Sequence, residues 1–322
     1  MESLVRQRDI VHVSFSIWDL SDSYNKYAGT ALVSLLENTL NPVCVHLLYD
    51  ENLHSNLPSY SENKQAYRDI EKKYDCKVYF HHVDAPLWLH NLPSVRFFSF
   101  GTFLRLFLPD ILKNINKVIY LDCDICVTDD IAELWSFDLS DKSIGVDDTL
   151  FNAGVIIFDL DKIRQNYDLA KQTLEFLNTH PRTRLLDEDA LHSVFEDDCS
   201  VFDRKWNITS PHHKEFTDMK GIFHFTWTKP WKVWGGGTFA EYEFWRYFSK
   251  TPWGDDVVKL ASAFAECANL SVGFAGDVAN RLIYYPIIYR LKYWGLFTQE
   301  LISLHWRELV VRIKDKILFW QR

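Results

Sequence analysis

The stretch VIYLDCDICV, Val118 to Val127, is an apolar run interrupted by two aspartates one residue apart. Val, Ile, Tyr and Leu in unbroken succession fit a strand covered on both faces, so the chain needs a sheet with a layer packed above it and another below. Charge has no place inside such a strand, and the carboxylates mark its end. On an extended backbone Asp122 and Asp124 share a face, and both could meet one divalent cation.

The flanking sequence supplies the layers. Asp9 to Ile17 reads as a strand, Tyr24 to Asn38 as a helix, Val43 to Tyr49 as a second strand, Tyr60 to Tyr74 as a charged surface helix and Lys77 to His82 as a third strand. Phe100 to Leu108 fits a short buried helix carrying Arg105, and Lys117 to Leu121 is the strand that delivers the acidic pair. Lys142 to Val146 and Ala153 to Leu160 read as short central strands, Asp161 to Asn178 as a helix capped by Asp161, and Asp187 to Phe195 as a helix entered through acids. Gly221 to Thr226 reads as a last short strand. Strands alternating with helices predict an α/β fold with a doubly wound, mainly parallel sheet. Ligands of such sheets bind beyond the carboxyl ends of the strands, where Trp18 to Ser23, Asp122 to Asp124 and Asp147 to Asn152 would fall. Residues 1–252 form the expected body and residues 253–322 a helical extension.

Composition narrows the partners. A content of 47% hydrophobic residues over 322 positions supports a sizeable core. No run reaches the roughly 18 apolar residues of a membrane span, and the opening MESLVRQRDIVHVSFSIW has no signal-peptide pattern, so a cytoplasmic location is expected. The formal charge is −9, but residues 281–322 hold eight basic and three acidic residues, giving +5 there and −14 in the rest. An acidic body argues against nucleic acid as a partner. The basic tail is rich in Tyr, Trp, Phe and Ile, and fits either an anionic membrane surface or a helical hairpin packed on the body. Six scattered cysteines fit reduced thiols. Cys123 and Cys126 form a CxxC with no second pair to complete a zinc site, and it closes a strand where a redox motif would open a helix.

Four segments stand in a telling order: YLDCD at Tyr120 to Asp124, FNAGV at Phe151 to Val155, LDEDAL at Leu186 to Leu191 and HFTWTKPW at His224 to Trp231. From about Val11 to Trp231 the chain resembles glycosyltransferase family 8, the group of glycogenin and bacterial lipopolysaccharide galactosyl- and glucosyltransferases. The resemblance implies a GT-A-type fold and transfer of glucose or galactose from UDP-glucose or UDP-galactose to a glycan or lipid-linked saccharide acceptor, with Mn²⁺ or Mg²⁺ held by Asp122, Asp124 and His224. It also implies that Lys229 meets the leaving diphosphate, that Arg105 and Cys123 lie at the donor, and that Ser16, Asp19 and Tyr24 line the uridine pocket. Asn152 would sit beside the donor sugar and either Asp147 or Asp148 on its hydroxyls. Asp187 and Glu188 would face the reacting carbon. Members often carry Asp-Gln-Asp where this chain has Asp187, Glu188, Asp189, so a carboxyl replaces an amide; it could stabilise an oxocarbenium-like centre or attack it, while three acids at a helix start also suit the helix dipole. Trp227 stands where many members have glycine. Trp227, Trp231 and Trp234 could stack on an acceptor sugar or pack in the core.

Two other classes share parts of this pattern. Haloacid-dehalogenase-like phosphatases also end a strand in two aspartates one residue apart, but on the first strand. A non-catalytic sugar-binding protein would fit the tryptophans and the altered LDEDAL.

Overall fold

The computed structural model describes residues 9–18, 23–50, 54–55, 57–84, 86, 100–147, 151–209, 219–226, 229–231 and 239–255. Its main sheet has seven strands in the order β3-β2-β1-β4-β7-β6-β8. These are β1 (Val11–Ile17), β2 (Val43–Tyr49), β3 (Cys76–His82), β4 (Lys117–Leu121), β6 (Ile144–Asp147), β7 (Val155–Asp159) and β8 (Cys199–Phe202). Neighbours run parallel except at β7, which is antiparallel to both β4 and β6. A second sheet, β5-β10-β9, is built from β5 (Ile125–Val127), β9 (Ile208–Thr209) and β10 (Ile222–His224).

Pleating explains the unbroken apolar run. Ile119 and Leu121 of β4 join one core cluster with α1 (Tyr24–Asn38), while Val118 and Tyr120 join another with the 3₁₀ helix Phe100–Phe107 and α7 (Asp187–Val194). Val155 and Ile157 of β7 divide from Ile156 and Phe158 in the same way. Each such fully buried side chain contributes about 1.5–3 kcal/mol. Between these elements lie α2 (Tyr60–Lys73), α3 (Leu108–Ile111), α4 (Ile131–Trp135), α5 (Leu160–Asn166) and α6 (Leu169–Thr179). A third core cluster joins the small sheet to α8 (Phe239–Phe248) through Phe223, Phe225 and Phe244.

The single helix expected over Asp161 to Asn178 is two helices. Tyr167 is extended, at φ −133° and ψ 146°, and Asp168 then caps α6 by accepting from Lys171 N, as Asp159 caps α5 from Lys162 N. The cap of the first helix is therefore Asp159, two residues before the expected Asp161. The segment Gly221 to Thr226 holds β10, in the small sheet instead of the main one. The proposed extension is described only to residue 255, and the basic tail 281–322 lies outside the described residues. No helix among the described residues is long and apolar enough to cross a membrane.

Three histidines line up across neighbouring strands. His12 Nδ1 is 3.0 Å from His46 Nε2, and His46 Nδ1 is 3.0 Å from His81 Nε2. Burial, with His81 and His12 alongside, pushes His46 down to about 3. Its folded pKa is thus depressed, so its contribution to stability is present above the unfolded value and lost as pH falls below it. Unfolding in urea should show a loss of about 2 kcal/mol between pH 7 and pH 5 from His46 alone, and His46→Leu should flatten that dependence. An equal pH slope in the two proteins would contradict this reading.

Candidate active site

After β4 the chain bends at Cys123 and Asp124 and enters β5, so the aspartate pair joins the two sheets. The carboxylates converge through this bend; the extended geometry expected for them is absent. Asp122 N donates to Gly154 O at 2.8 Å, which ties the pair to the start of β7, and Phe225 N donates to Asp124 O at 2.9 Å. β10 runs antiparallel to β5 with His224 opposite Ile125, so a residue distant in sequence meets the pair. One ligand atom from each of Asp122, Asp124 and His224 lies within 4.8 Å of the others. His224 Nε2 stands 3.6 Å from Asp122 Oδ2 and 3.5 Å from Asp124 Oδ1.

The reversal of β7 brings the FNAGV segment to the same edge as the aspartates, because the start of β7 lies beside the end of β4, Leu121 opposite Val155. Phe151 and Leu186 hold left-handed backbone, at φ 55° and 48°, just before Asn152 and Asp187. Such residues cost about 1–3 kcal/mol each and recur at functional sites. Glu188 Oε2 accepts from Asn152 Nδ2 at 3.0 Å and from Ala153 N at 2.9 Å. Burial pushes the Glu188 carboxyl up to about 7; the charges of Asp187 and Asp122 add to this, while Ala153 N and Arg105 oppose it. Asp187 is also pushed up by burial, against the pull of Arg105.

Arg105 is fully enclosed, as expected of a residue on a buried helix. Its Nη2 lies 3.3 Å from Asp122 Oδ1, its Nε 3.4 Å from Asp187 Oδ2, and its Nη1 donates to Ala153 O. The guanidinium also lies over the Tyr120 ring at 4.2 Å, and Tyr120 Oη donates to Asp122 Oδ1 at 2.9 Å. One buried cation therefore braces two carboxylates from different elements. At the other aspartate, Lys229 Nζ binds Asp124 Oδ2 and two carbonyls, Phe225 O at 2.6 Å and Thr226 O at 3.1 Å. Burial alone would push Asp124 up, but the Lys229 ammonium outweighs it and holds the carboxyl well below the usual carboxylate range.

His224 Nδ1 is 3.0 Å from Asn207 Oδ1, and Asn207 Nδ2 donates to Asn152 Oδ1 at 3.0 Å. The imidazole rests on Gly154: a Cβ there would stand 2.0 Å from His224 Cε1 and 2.8 Å from Nε2. Gly154→Ala must therefore displace the ring. We expect this variant to fold with its core intact and to bind Mn²⁺ at least about tenfold more weakly, read by titration of free Mn²⁺; unchanged affinity would contradict the packing.

Residues 16–235 match the sequence profile of glycosyl transferase family 8, more than half of the chain. The chain belongs to glycosyltransferase family 8. It is 26% identical over 289 residues to general stress protein A of Bacillus subtilis, covering 77% of this chain and 96% of that protein. It is 24% identical over 228 residues to the lipopolysaccharide 1,3-galactosyltransferase of Salmonella typhimurium, covering 60% of this chain and 67% of that one. Among solved structures, the galactosyltransferase LgtC in complex with donor and acceptor sugar analogs superposes with a TM-score of 0.57 at 20% identity, over 76% of this chain and 96% of that one. That likeness identifies the fold as GT-A.

Within this family 8 chain, the contacts above link Arg105, Asp122, Asp124, Asn152, Asp187, Glu188, His224 and Lys229 into one cluster. Cys123 adjoins it, its Sγ donating to Ser16 O at 3.2 Å at the end of β1. Cys123 and Cys126 are in no disulfide, and the Asp-Asp-His group is the only candidate metal cluster among the described residues. Burial raises the Tyr24 phenol above its usual value, with the charges of Asp124 and Cys123 adding to the effect, and its ring packs edge-on against Tyr27 and Trp231. Asp147 is buried at the end of β6. Asp19, Asp148, Trp227 and Trp234 lie outside the described residues. Trp231 stacks on Tyr27, with ring centroids 3.5 Å apart, and packs on Phe244, which favours its core reading. Asp189 turns away from the cluster: it accepts from Thr183 Oγ1 and from Leu185 N at 3.1 Å, closing the loop before α7. Asn207 and Tyr120 went unrecognised in the sequence. The local signal for Asn207 is a polar residue that follows DRKW, just before the strand Ile208–Thr209.

Proposed function

We propose that this family 8 glycosyltransferase is a cation-dependent, retaining hexosyltransferase that takes glucose or galactose from a UDP-sugar to a glycan acceptor. The observation that carries this is the convergence of Asp122, Asp124 and His224 within 4.8 Å, hydrogen-bonded through Asn207 and Asn152 to Glu188. The donor set fits a divalent cation. Two carboxylates and an imidazole make a mixed oxygen and nitrogen set that suits Mn²⁺ better than Mg²⁺. The gaps of 3.5 and 3.6 Å from His224 Nε2 to the carboxylates are too long for hydrogen bonds, and a positive group, Lys229 Nζ, already sits on Asp124. When bound, the cation supplies Lewis-acid neutralisation of the charge on the departing nucleoside diphosphate.

The remaining roles belong to the chain. Lys229 exchanges its carboxylate and carbonyl partners for the diphosphate, to which an ammonium is suited as a point charge. Arg105 keeps Asp122 and Asp187 in register and so orients both ends of the site. Glu188 presents a carboxylate toward the reacting carbon, held by the Asn152 amide and Ala153 N–H, and either stabilises positive charge there or attacks it. Ser16, Asp19, Tyr24 and Cys123 face the nucleoside side, with Asp147 or Asp148 on the sugar hydroxyls. The named activity of the Salmonella relative supports a lipopolysaccharide or other lipid-linked saccharide as acceptor. The basic aromatic tail at 281–322 supports a peripheral position on the inner face of the membrane, within the proposed division into a catalytic body at 1–252 and an extension at 253–322.

Retention is tested without knowing the acceptor, because water can take the sugar. Proton NMR of UDP-galactose or UDP-glucose hydrolysis with Mn²⁺ should reveal the α-hexose first, before mutarotation. Appearance of the β-anomer first would overturn retention, and no hexose from either donor would overturn the transferase chemistry proposed for them.

A further inference from the structure

The polarity of the hydrogen-bond chain between His224 and Glu188 follows from one backbone group. Gly154 N–H can only donate, and it meets a side-chain atom of Asn152 at 3.1 Å, which must therefore be Oδ1. The other end of that amide, Nδ2, then faces Glu188 Oε2 at 3.0 Å. Asn207 approaches Asn152 Oδ1 at 3.0 Å and must present its own Nδ2 there, with Asn152 O at 3.4 Å as a second, weaker acceptor. That leaves Asn207 Oδ1 for His224 Nδ1 at 3.0 Å, so Nδ1 carries a hydrogen. In the neutral imidazole the lone pair is then on Nε2, the atom that faces both carboxylates. Asn207 is completely buried, so no solvent competes for its amide.

We propose that Asn207 is a positioning residue that fixes the tautomer of His224 at one end of the site and the amide of Asn152, hence Glu188, at the other. Among the described residues, its amide is the one link shown to serve both ends. One terminal oxygen accepts from the imidazole and one terminal nitrogen donates to Asn152, so rotating the amide by half a turn would set donor against donor and acceptor against acceptor. The inference deepens the transferase reading and rests on it for the role of Glu188. The tautomer itself is independent of that reading.

The two ends can be separated by substitution. Asn207→Asp keeps an oxygen for His224 Nδ1–H and loses the donor to Asn152; Asn207→Leu loses both. Long-range ¹H–¹⁵N correlation on the metal-free full chain with labelled histidine reads the tautomer, and titration of free Mn²⁺ reads the affinity. In the wild type and in Asn207→Asp we expect His224 as the Nδ1–H form, with Mn²⁺ affinity within about threefold of each other. In Asn207→Leu we expect the Nε2–H form to appear and Mn²⁺ to bind about 10–100-fold more weakly, the usual effect of removing such a partner. With Mn²⁺ saturating, Asn207→Asp should still lose about tenfold in kcat for UDP-sugar hydrolysis, because an acceptor now faces Asn152 Oδ1. Should Asn207→Leu fail to fold, Asn207→Ala carries the same readouts. An unchanged tautomer together with unchanged Mn²⁺ affinity in the Leu or Ala variant would overturn the His224 half. Wild-type kcat in Asn207→Asp would overturn the Glu188 half. A wild-type protein that binds Mn²⁺ yet releases no UDP would sink the transferase reading and leave the tautomer result standing.

Discussion

Asp124→Ala should lose tight Mn²⁺ binding and, with it, about a thousandfold of the UDP release from a UDP-hexose. Asp124 is one of the three candidate ligands, and Lys229 on its Oδ2 holds the carboxylate ionised. A cation acting as Lewis acid on a leaving diphosphate is worth several kcal/mol, and each 1.4 kcal/mol is a factor of ten, which gives about three orders of magnitude. The loss should not come from unfolding. In the variant Lys229 keeps two carbonyl partners, Phe225 O and Thr226 O, and near-ultraviolet circular dichroism should match the wild type. Asp124→Asn, with the same shape and no charge, should fall in the same direction. Wild-type Mn²⁺ affinity in either variant would remove Asp124 from the cation site.

Glu188→Gln should be slower and more stable at once. With the carboxyl pushed up to about 7 by burial, the wild-type rate is expected to rise through pH 7 as Glu188 ionises and then level. The amide has no charge to develop, so the variant should be flat across that range and about a hundredfold slower at pH 8. The stability effect has the opposite sign. A carboxyl whose folded pKa is raised from 4.5 to about 7 contributes stability that is present below 4.5 and lost as pH rises through 7. Keeping Glu188 ionised in the fold therefore costs about 3 kcal/mol at pH 8, a cost the amide escapes. Urea unfolding should find the variant more stable by up to that amount at pH 8 and close to wild type at pH 4.5. A wild-type rate that is flat from pH 6 to 8, or a variant with no gain at pH 8, would contradict the environment assigned to Glu188.

The sequence revealed the elements with a strong local cause. The double-faced apolar pattern of β4 and β7 announced buried strands, and a carboxylate pair at a strand end announced the edge where chemistry sits. The family resemblance then named the residues that meet there, and eight of them do. Less legible was anything set by tertiary partners. Asp122 and Asp124 were expected to converge by extension, yet the bend into β5 makes them converge, and nothing local distinguishes a strand that continues from one that changes sheets. The direction of β7 was equally hidden: alternation of strands with helices predicts parallel pairing, and only the antiparallel turn brings Asn152 and Gly154 to the aspartates. Asn207 had no motif of its own, because its importance lies in two side chains brought from distant parts of the chain. Asp189 shows the converse. It stands inside an acidic motif and spends its carboxylate on its own loop.

Release of UDP from UDP-glucose and UDP-galactose by the full chain, with saturating Mn²⁺ and again with excess EDTA, reads whether Asp122, Asp124 and His224 hold a working cation. At least one of the two donors is expected to give UDP with Mn²⁺, with chelation removing nearly all of it. Release that is indifferent to EDTA, or absent with both donors, would contradict a cation site at Asp122, Asp124 and His224 that serves transfer from a nucleotide sugar.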